Sequence, residues 1–106
     1  RAARLVIDTG IHNKAWSRQD AADYYQEATG SPASLEAMDR YVILPGQGCG
    51  YTIGMREILD LRQRAMDQLG DEFDIKTFHH IVLGSGNLPF HLLGEVVDDW
   101  IHTATR

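Results

Sequence analysis

The amino-acid sequence predicts an all-α fold of about five to six helices joined by short turns. Residues that cap helices stand in front of several segments, and apolar residues recur at helical spacing inside them. Only residues 3–8, with their Leu, Val and Ile side chains, resemble a strand. A strand needs a partner to pair with, and the rest of the sequence offers none. We therefore expect a helix in this segment as well.

The first capped helix is predicted after Ser17. Asp20 follows three residues later, which is the spacing of a capping box, and Gly30 is typical of the residue that ends a helix. Ser34 is placed to cap the next helix. That helix stops before Pro45, because proline lacks the backbone N–H that a helix interior needs.

A long helix is predicted from about Tyr51 to Leu69 and is closed by Gly70. We expect it to pack centrally through Leu59, Met66 and Leu69. Its apolar residues recur at helical spacing, with charged residues between them. They are Ile58, Leu59, Leu61, Ala65, Met66 and Leu69.

Two more helices are predicted near the C-terminus. Asp74 is placed to cap the first of them, which stops at the Gly-Ser-Gly-Asn of residues 84–87. Asn87 is expected to start the last helix, with Pro89 at the first helical position, where a missing N–H is tolerated. Residues 1–106 are accordingly predicted to form a single helical domain or subdomain.

The composition excludes several classes of function. The chain of 106 residues has a formal net charge of −5 and no run of basic residues, which argues against a nucleic-acid partner. No apolar run approaches the roughly 20 residues that span a bilayer. The single cysteine, Cys49, cannot form an internal disulfide or a multi-cysteine metal site. The chain opens without Met or a signal sequence, so we expect it to be a piece of a longer protein.

The five histidines form no HExxH zinc motif, since no two of them stand four apart with a glutamate between them. His79 and His80 are adjacent and would point to different sides of a helix. This is typical of one packed and one solvated side chain. His12 follows Gly10 near a predicted helix end. It is expected either to bond free carbonyl groups there or to belong to a functional site.

The stretch "RYVILPGQGCGYTIG", residues 40–54, departs from the helical pattern around it. Pro45 removes a backbone donor and frees carbonyl groups, and the glycines that follow let a ligand or another backbone approach closely. Gln47 and Tyr51 are four apart, so they share a face once the helix resumes. Their amide and phenol can act on a substrate, the phenol by donating to a developing oxyanion. The alternative is a close helix crossing in which Tyr51 belongs to the core.

Three segments resemble, in the same order, the C-terminal end of the bacterial family known as domain of unknown function 885. They are "RLVIDTGIHNKAWSRQDAADY", "RYVILPGQGCGYTIG" and "FDIKTFHHIVLGSGNLPFHLL". The resemblance covers nearly the whole chain. The usual family pattern, P-G-Q-A-x-x-Y-K-x-G, differs here at two positions. Gly48 replaces the alanine and Thr52 replaces the lysine, so that lysine's cation is missing here.

Members of this family look similar to zinc metallopeptidases of the gluzincin type, related in architecture to carboxypeptidase Taq. The resemblance implies a mostly helical bacterial protein several times longer than this chain. The sequence leaves its localisation open between the cytoplasm and the periplasm, because that depends on the missing N-terminus. It also implies a zinc ion held upstream, by a helix with a His-Glu pair and a following Pro-Gly-His. We expect zinc in the full-length parent and no cofactor in this chain, which alone would be inactive.

The resemblance also implies roles for single residues. Tyr51 and Tyr41 become candidate catalytic phenol donors, and His12, in the family pattern D-T-G-(I/L)-H, becomes a further catalytic candidate. Gln47 and Arg40 become candidates for substrate binding. The expected partners are a peptide substrate, the upstream part of the same protein, and a second copy of the chain that docks on exposed apolar surface.

A second hypothesis remains open at this point. The chain can instead be a non-catalytic helical module that serves packing or oligomer assembly. A His-Glu helix in the upstream sequence of the parent would favour the peptidase hypothesis, and its absence would leave the module.

Overall fold

The structure is a computed structural model that describes residues 1–105, and that part of the chain holds six α-helices and no strand. The predicted all-α fold is therefore confirmed, including the helix over residues 3–8. Two short 3₁₀ helices, Gln47–Cys49 and Gly70–Glu72, flank the longest helix. The α-helices are α1 (Ala2–Lys14), α2 (Arg18–Thr29), α3 (Leu35–Ile43), α4 (Gly50–Leu69), α5 (Ile75–Gly84) and α6 (Phe90–Ala104).

The predicted caps of α2, α3 and α5 are confirmed. Ser17 and Asp20 form a reciprocal capping box, in which each backbone N–H donates to the other residue's side chain at 3.0 Å. The Ser34 hydroxyl accepts from the N–H of residue 37 at 3.1 Å, and the Asp74 carboxylate accepts from that of residue 77 at 2.9 Å. Gly30 ends α2 in the left-handed conformation. These caps occupy backbone groups that the first turn of a helix leaves unpaired.

The predicted start of α6 is wrong. Pro89 is not the first helical residue but the N-cap, with an extended ψ of 149°, and no side chain caps this helix. The reason is that the carbonyl of Pro89 already accepts the first helical hydrogen bond, from the N–H of Leu93 at 3.0 Å. The helix thus begins at Phe90, and Asn87 does not cap it.

The chain divides into two units, Arg1–Ile53 and the part from Gly54 onward. In the first unit, α1 packs against α2, α3 and the 3₁₀ helix Gln47–Cys49. Its core consists of Ile7, Ala21, Ala22 and Met38. The second unit has its own core, in which α4 supplies Leu61, Ala65 and Leu69, α5 supplies Phe78, and α6 supplies Leu93, Val97 and Ile101.

The buried face of α4 differs from the prediction. Leu69 is buried as expected, but Leu59 is 41% exposed and Met66 is 42% exposed. Leu61 and Ala65 are the residues that join Leu69 in the core. They precede it by eight and four positions, so the three lie one above another on a single helix face. Leu59 and Met66 lie on a different side of the same helix.

Candidate functional site

The unusual stretch between α3 and α4 begins with an unpaired carbonyl group. Pro45 has no N–H, so it cannot donate to the carbonyl of Tyr41, four residues earlier. In the structure His12, in the last turn of α1, takes the place of that donor, with its Nε2 2.8 Å from the Tyr41 oxygen. A carbonyl oxygen only accepts, so Nε2 carries the proton and donates. His12 thereby ties α1 to the end of α3.

One turn earlier on α1, Asp8 holds the next part of the stretch. The backbone N–H of Gly46 donates to both carboxylate oxygens of Asp8, at 2.9 and 3.1 Å. Asp8 is almost fully buried, and a buried carboxylate requires such partners. Gly46 has a φ of 82°, a conformation that favours glycine. Asp8 and His12, four apart on one helix face, therefore hold the turn that follows Pro45 from one side.

Close packing occurs at one glycine of this stretch. A Cβ added to Gly48 would lie 3.3 Å from the carbonyl oxygen of Arg4 and 3.4 Å from the ring of Tyr41. Gly50, in contrast, faces open space. The close approach predicted for these glycines thus occurs at Gly48, where the 3₁₀ helix meets α1 and α3, and not at Gly50.

A cavity of about 190 Å³ lies in the first unit, beside this turn. Four of the five predicted site residues line it: Arg40 and Tyr41 from α3, Gln47 from the 3₁₀ helix and Tyr51 from the first turn of α4. Arg4 and Ala37 complete the lining. The fifth predicted residue, His12, is not part of the lining and contacts the backbone of Tyr41 instead.

Tyr51 lies against two arginine side chains at this cavity. The guanidinium carbon of Arg1 lies 4.2 Å from the centre of its ring, and that of Arg4 lies 5.3 Å away. The pKa of the Tyr51 phenol is lowered from its ordinary value, chiefly because the Arg1 side chain can hydrogen-bond the phenolate and secondly because the Gln47 amide can do so. The positive charges of Arg1 and Arg4 act in the same direction. An acidified phenol is a stronger hydrogen-bond donor.

The surroundings of Cys49 make its thiol less acidic, in contrast to the phenol of Tyr51. Burial raises the pKa of its thiol, and the negative charge of Asp8 raises it further. A reactive cysteine needs the thiolate form, which cationic surroundings favour and this environment disfavours. Cys49 therefore does not join the candidate chemistry of the cavity.

The sequence analysis did not identify three contributors, which are Arg1, Arg4 and Asp8. The signal for Asp8 was present, because Asp8 and His12 stand four apart and so share a helix face. Arg1 and Arg4 carry the equivalent signal at a spacing of three. The sequence did not show which part of the chain these side chains on α1 would contact.

The described part of the chain provides neither a metal centre nor a membrane span. In residues 1–105 no three His, Cys, Asp or Glu side chains come together as a set that could hold a metal ion. None of the helices described there is long and apolar enough to cross a membrane.

Comparison with known proteins shows what this chain is similar to. No curated protein matches the sequence. A solved structure described as "the putative lipoprotein from Colwellia psychrerythraea" is 43% identical to it and superposes with a TM-score of 0.91 over 96% of this chain. The match spans only 18% of that longer chain. The family model for bacterial proteins of unknown function, DUF885, matches residues 1–97, which include both α1 and the whole cavity lining, and the chain belongs to this family.

Proposed function

We propose that this chain forms one wall of the substrate cleft in a longer hydrolase of the zinc-metallopeptidase type. The observation that carries the proposal is the environment of Tyr51, whose phenol lies beside Gln47 and the Arg1 and Arg4 guanidinium groups at a solvent-accessible cavity. The resemblance of the three sequence segments to gluzincin-like proteins is its second support.

The chemistry required of such a wall is electrostatic. When a peptide bond is hydrolysed, negative charge develops on the carbonyl oxygen, and a donor aimed at that oxygen lowers the barrier. The lowered pKa of Tyr51 suits its phenol to this task. Tyr41 is the competing donor, but it is half-buried, with its ring against Gly48. Gln47 and Arg40 are available to bind other polar groups of the substrate.

The zinc ion belongs, in this proposal, to the upstream part of the longer protein. The residues described here do not fit a zinc site, because no set of three potential ligands comes together within residues 1–105. The contribution of this chain is therefore to bind and orient the peptide substrate and to donate a hydrogen bond.

His12 and Asp8 have a positioning role in this proposal. Asp8 holds the N–H of Gly46, and His12 holds the carbonyl of Tyr41. Together they fix the turn from which Gln47 and Tyr51 project. A direct catalytic role for His12 stays a prediction from the family resemblance.

The test is the variant Tyr51→Phe in the full-length protein, measured as peptide turnover. We expect turnover to fall by roughly a hundredfold, the usual scale for loss of one oxyanion donor. The phenol must be protonated to donate. Wild-type turnover should therefore decline as the pH rises through the pKa of Tyr51, which lies below that of an ordinary tyrosine. The variant should lack this alkaline decline.

Tyr41→Phe is the matched control, since it removes the same hydroxyl group from the other tyrosine of the cavity. It should leave turnover within a few-fold of wild type, by the same scale. If neither change affects turnover, or if both lower only the melting temperature, the cleft hypothesis is wrong. The alternative of a packing or assembly module would then be favoured.

A further inference from the structure

The cavity in the first unit carries positive charge, although the chain as a whole is acidic. The formal net charge of the sequence is −5, yet the residues that line the cavity include Arg4 and Arg40 and no acidic side chain. Arg1 lies at the same place, against the ring of Tyr51. An isolated cluster of cations in an acidic chain raises the question of what balances it.

No carboxylate of the described residues balances it. Within residues 1–105, neither Arg1, Arg4 nor Arg40 has a carboxylate oxygen within 4 Å, whereas two other arginines are paired. Arg18 lies 3.3 Å from Asp39, and Arg64 lies 3.0 Å from Asp98. The ring of Tyr51 offsets part of the charge of Arg1 and Arg4 by cation–π attraction. It supplies no negative ion.

The size of the cavity limits what can enter. Sites for complete small molecules usually enclose about 300–1,000 Å³, and this cavity has about 190 Å³. It therefore suits one group of a larger ligand rather than an entire cofactor. A cleft lined by charge of one sign also concentrates ligands of the opposite sign.

We propose that this cavity binds a carboxylate group of the ligand, held by Arg4 and Arg40. The inference rests on the proposed function, since it defines the substrate that the cleft would accept. The planar guanidinium fork matches the two oxygens of a carboxylate, which a lysine would not do. Gln47 and Tyr51 add neutral donors at the same wall. The carboxylate can be the C-terminus of a peptide or an acidic side chain.

Binding to the full-length protein, measured by titration calorimetry, tests this inference without any turnover. N-acetylglycine presents a terminal carboxylate, and N-acetylglycinamide is its neutral counterpart. The α-amide of N-acetylglutamate presents a side-chain carboxylate, and N-acetylglutamine amide is its counterpart. We expect at least one acid to bind about tenfold or more tightly than its counterpart. Which acid does so identifies the source of the carboxylate.

Arginine variants connect that binding to the cavity. Arg4→Gln and Arg40→Gln should each weaken binding of the acid about tenfold, whereas Arg62→Gln, an exposed arginine of α4, should not. Circular dichroism should show equal helix content in all three. The inference is overturned if acids and amides bind equally, if the cavity variants behave like Arg62→Gln, or if inorganic phosphate binds more tightly than either acid. Because no step involves hydrolysis, arginine-dependent binding would stand even if Tyr51→Phe left turnover unchanged.

Discussion

At the scale of single residues, His12 compensates for a proline 33 positions away in sequence. Pro45 deprives the Tyr41 carbonyl of its helical donor, and the imidazole Nε2 of His12 supplies another at 2.8 Å. The contact occupies a carbonyl that Pro45 leaves without its helical partner, and so it contributes to the junction between α1 and α3. It also explains why a histidine near the end of α1 bonds a carbonyl of another helix rather than one of its own.

We expect His12→Ala to lower the free energy of unfolding by about 1 kcal/mol, the usual net value of one hydrogen bond. His12→Gln should retain most of that stability, because its amide can still donate. The measurement is urea denaturation followed by circular dichroism. His80→Ala, at an exposed histidine of α5, is the matched control and should change stability by less than about 0.5 kcal/mol. Equal effects at positions 12 and 80 would mean that the contact with Tyr41 contributes nothing.

Gly48 and Gly50 provide a second comparison at the residue scale, because they differ only in their surroundings. Gly48→Leu should lower the free energy of unfolding by about 1–3 kcal/mol, since the side chain would be forced against the Arg4 carbonyl and the Tyr41 ring. Gly50→Leu should be neutral or slightly stabilising, because the space around this first residue of α4 is open and leucine favours a helix.

Thermal denaturation of the Gly48→Leu and Gly50→Leu variants measures this difference in stability. The sequence by itself does not distinguish these two glycines, whereas the structure shows close packing at Gly48 and open space at Gly50. If Gly50→Leu proved the more damaging change, Gly48 would not be the position where the 3₁₀ helix Gln47–Cys49 packs closely against α1 and α3.

At the scale of elements, α4 shows how far helical periodicity determines burial. Its apolar residues follow the helix period on more than one side. One side, Leu61 with Ala65 and Leu69, joins the core of the second unit. Another side, with Leu59 and Met66, stays exposed. Periodicity therefore predicts an amphipathic helix, but it does not choose between two apolar stripes when a helix has both.

Leucine-to-alanine substitutions on the two sides of α4 should differ in how much they lower the free energy of unfolding. Leu61→Ala removes a side chain that is 6% exposed, and we expect a loss of about 2–5 kcal/mol in the free energy of unfolding. Leu59→Ala removes one that is 41% exposed and should cost less than about 1 kcal/mol. Chemical denaturation measures both. Similar losses at the two positions would mean that both faces of α4 are packed.

At the scale of the whole molecule, the exposed apolar side of α4 is the surface where we expect association. It carries Met55, Leu59 and Met66, each more than 40% exposed. Apolar patches of this kind on soluble proteins mark surfaces that contact another chain or another part of the same protein. The chain spans only 18% of its Colwellia neighbour, so much of a longer protein can lie outside it.

We therefore expect the isolated chain to form dimers or larger species as its concentration rises, because water-exposed apolar stripes associate. Sedimentation velocity over a concentration series measures this. Replacing Leu59 and Met66 together by Gln should shift the equilibrium toward monomer, while replacing the polar Gln63 by Glu on the same helix should not. A wild-type chain that stays monomeric throughout would contradict the expectation.

The sequence by itself determined the helical class of this protein, most helix ends and the family to which it belongs. Caps such as Ser17 with Asp20 are readable because donor and acceptor lie three residues apart, within one turn of chain. It also singled out residues 40–54 and four residues that line the cavity, since proline, glycine and the i, i+4 spacing have local consequences.

Only the tertiary structure decided what surrounds those residues. The Asp8–Gly46 contact joins positions 38 apart, and the His12–Tyr41 contact joins positions 29 apart. Arg4 enters the cavity because α1 packs beside α3, which no local pattern specifies. The physical reason is that periodicity defines which residues share a helix face but not which neighbour that face meets. That choice is made by the packing of whole helices, and the charge and shape of the cavity follow from it.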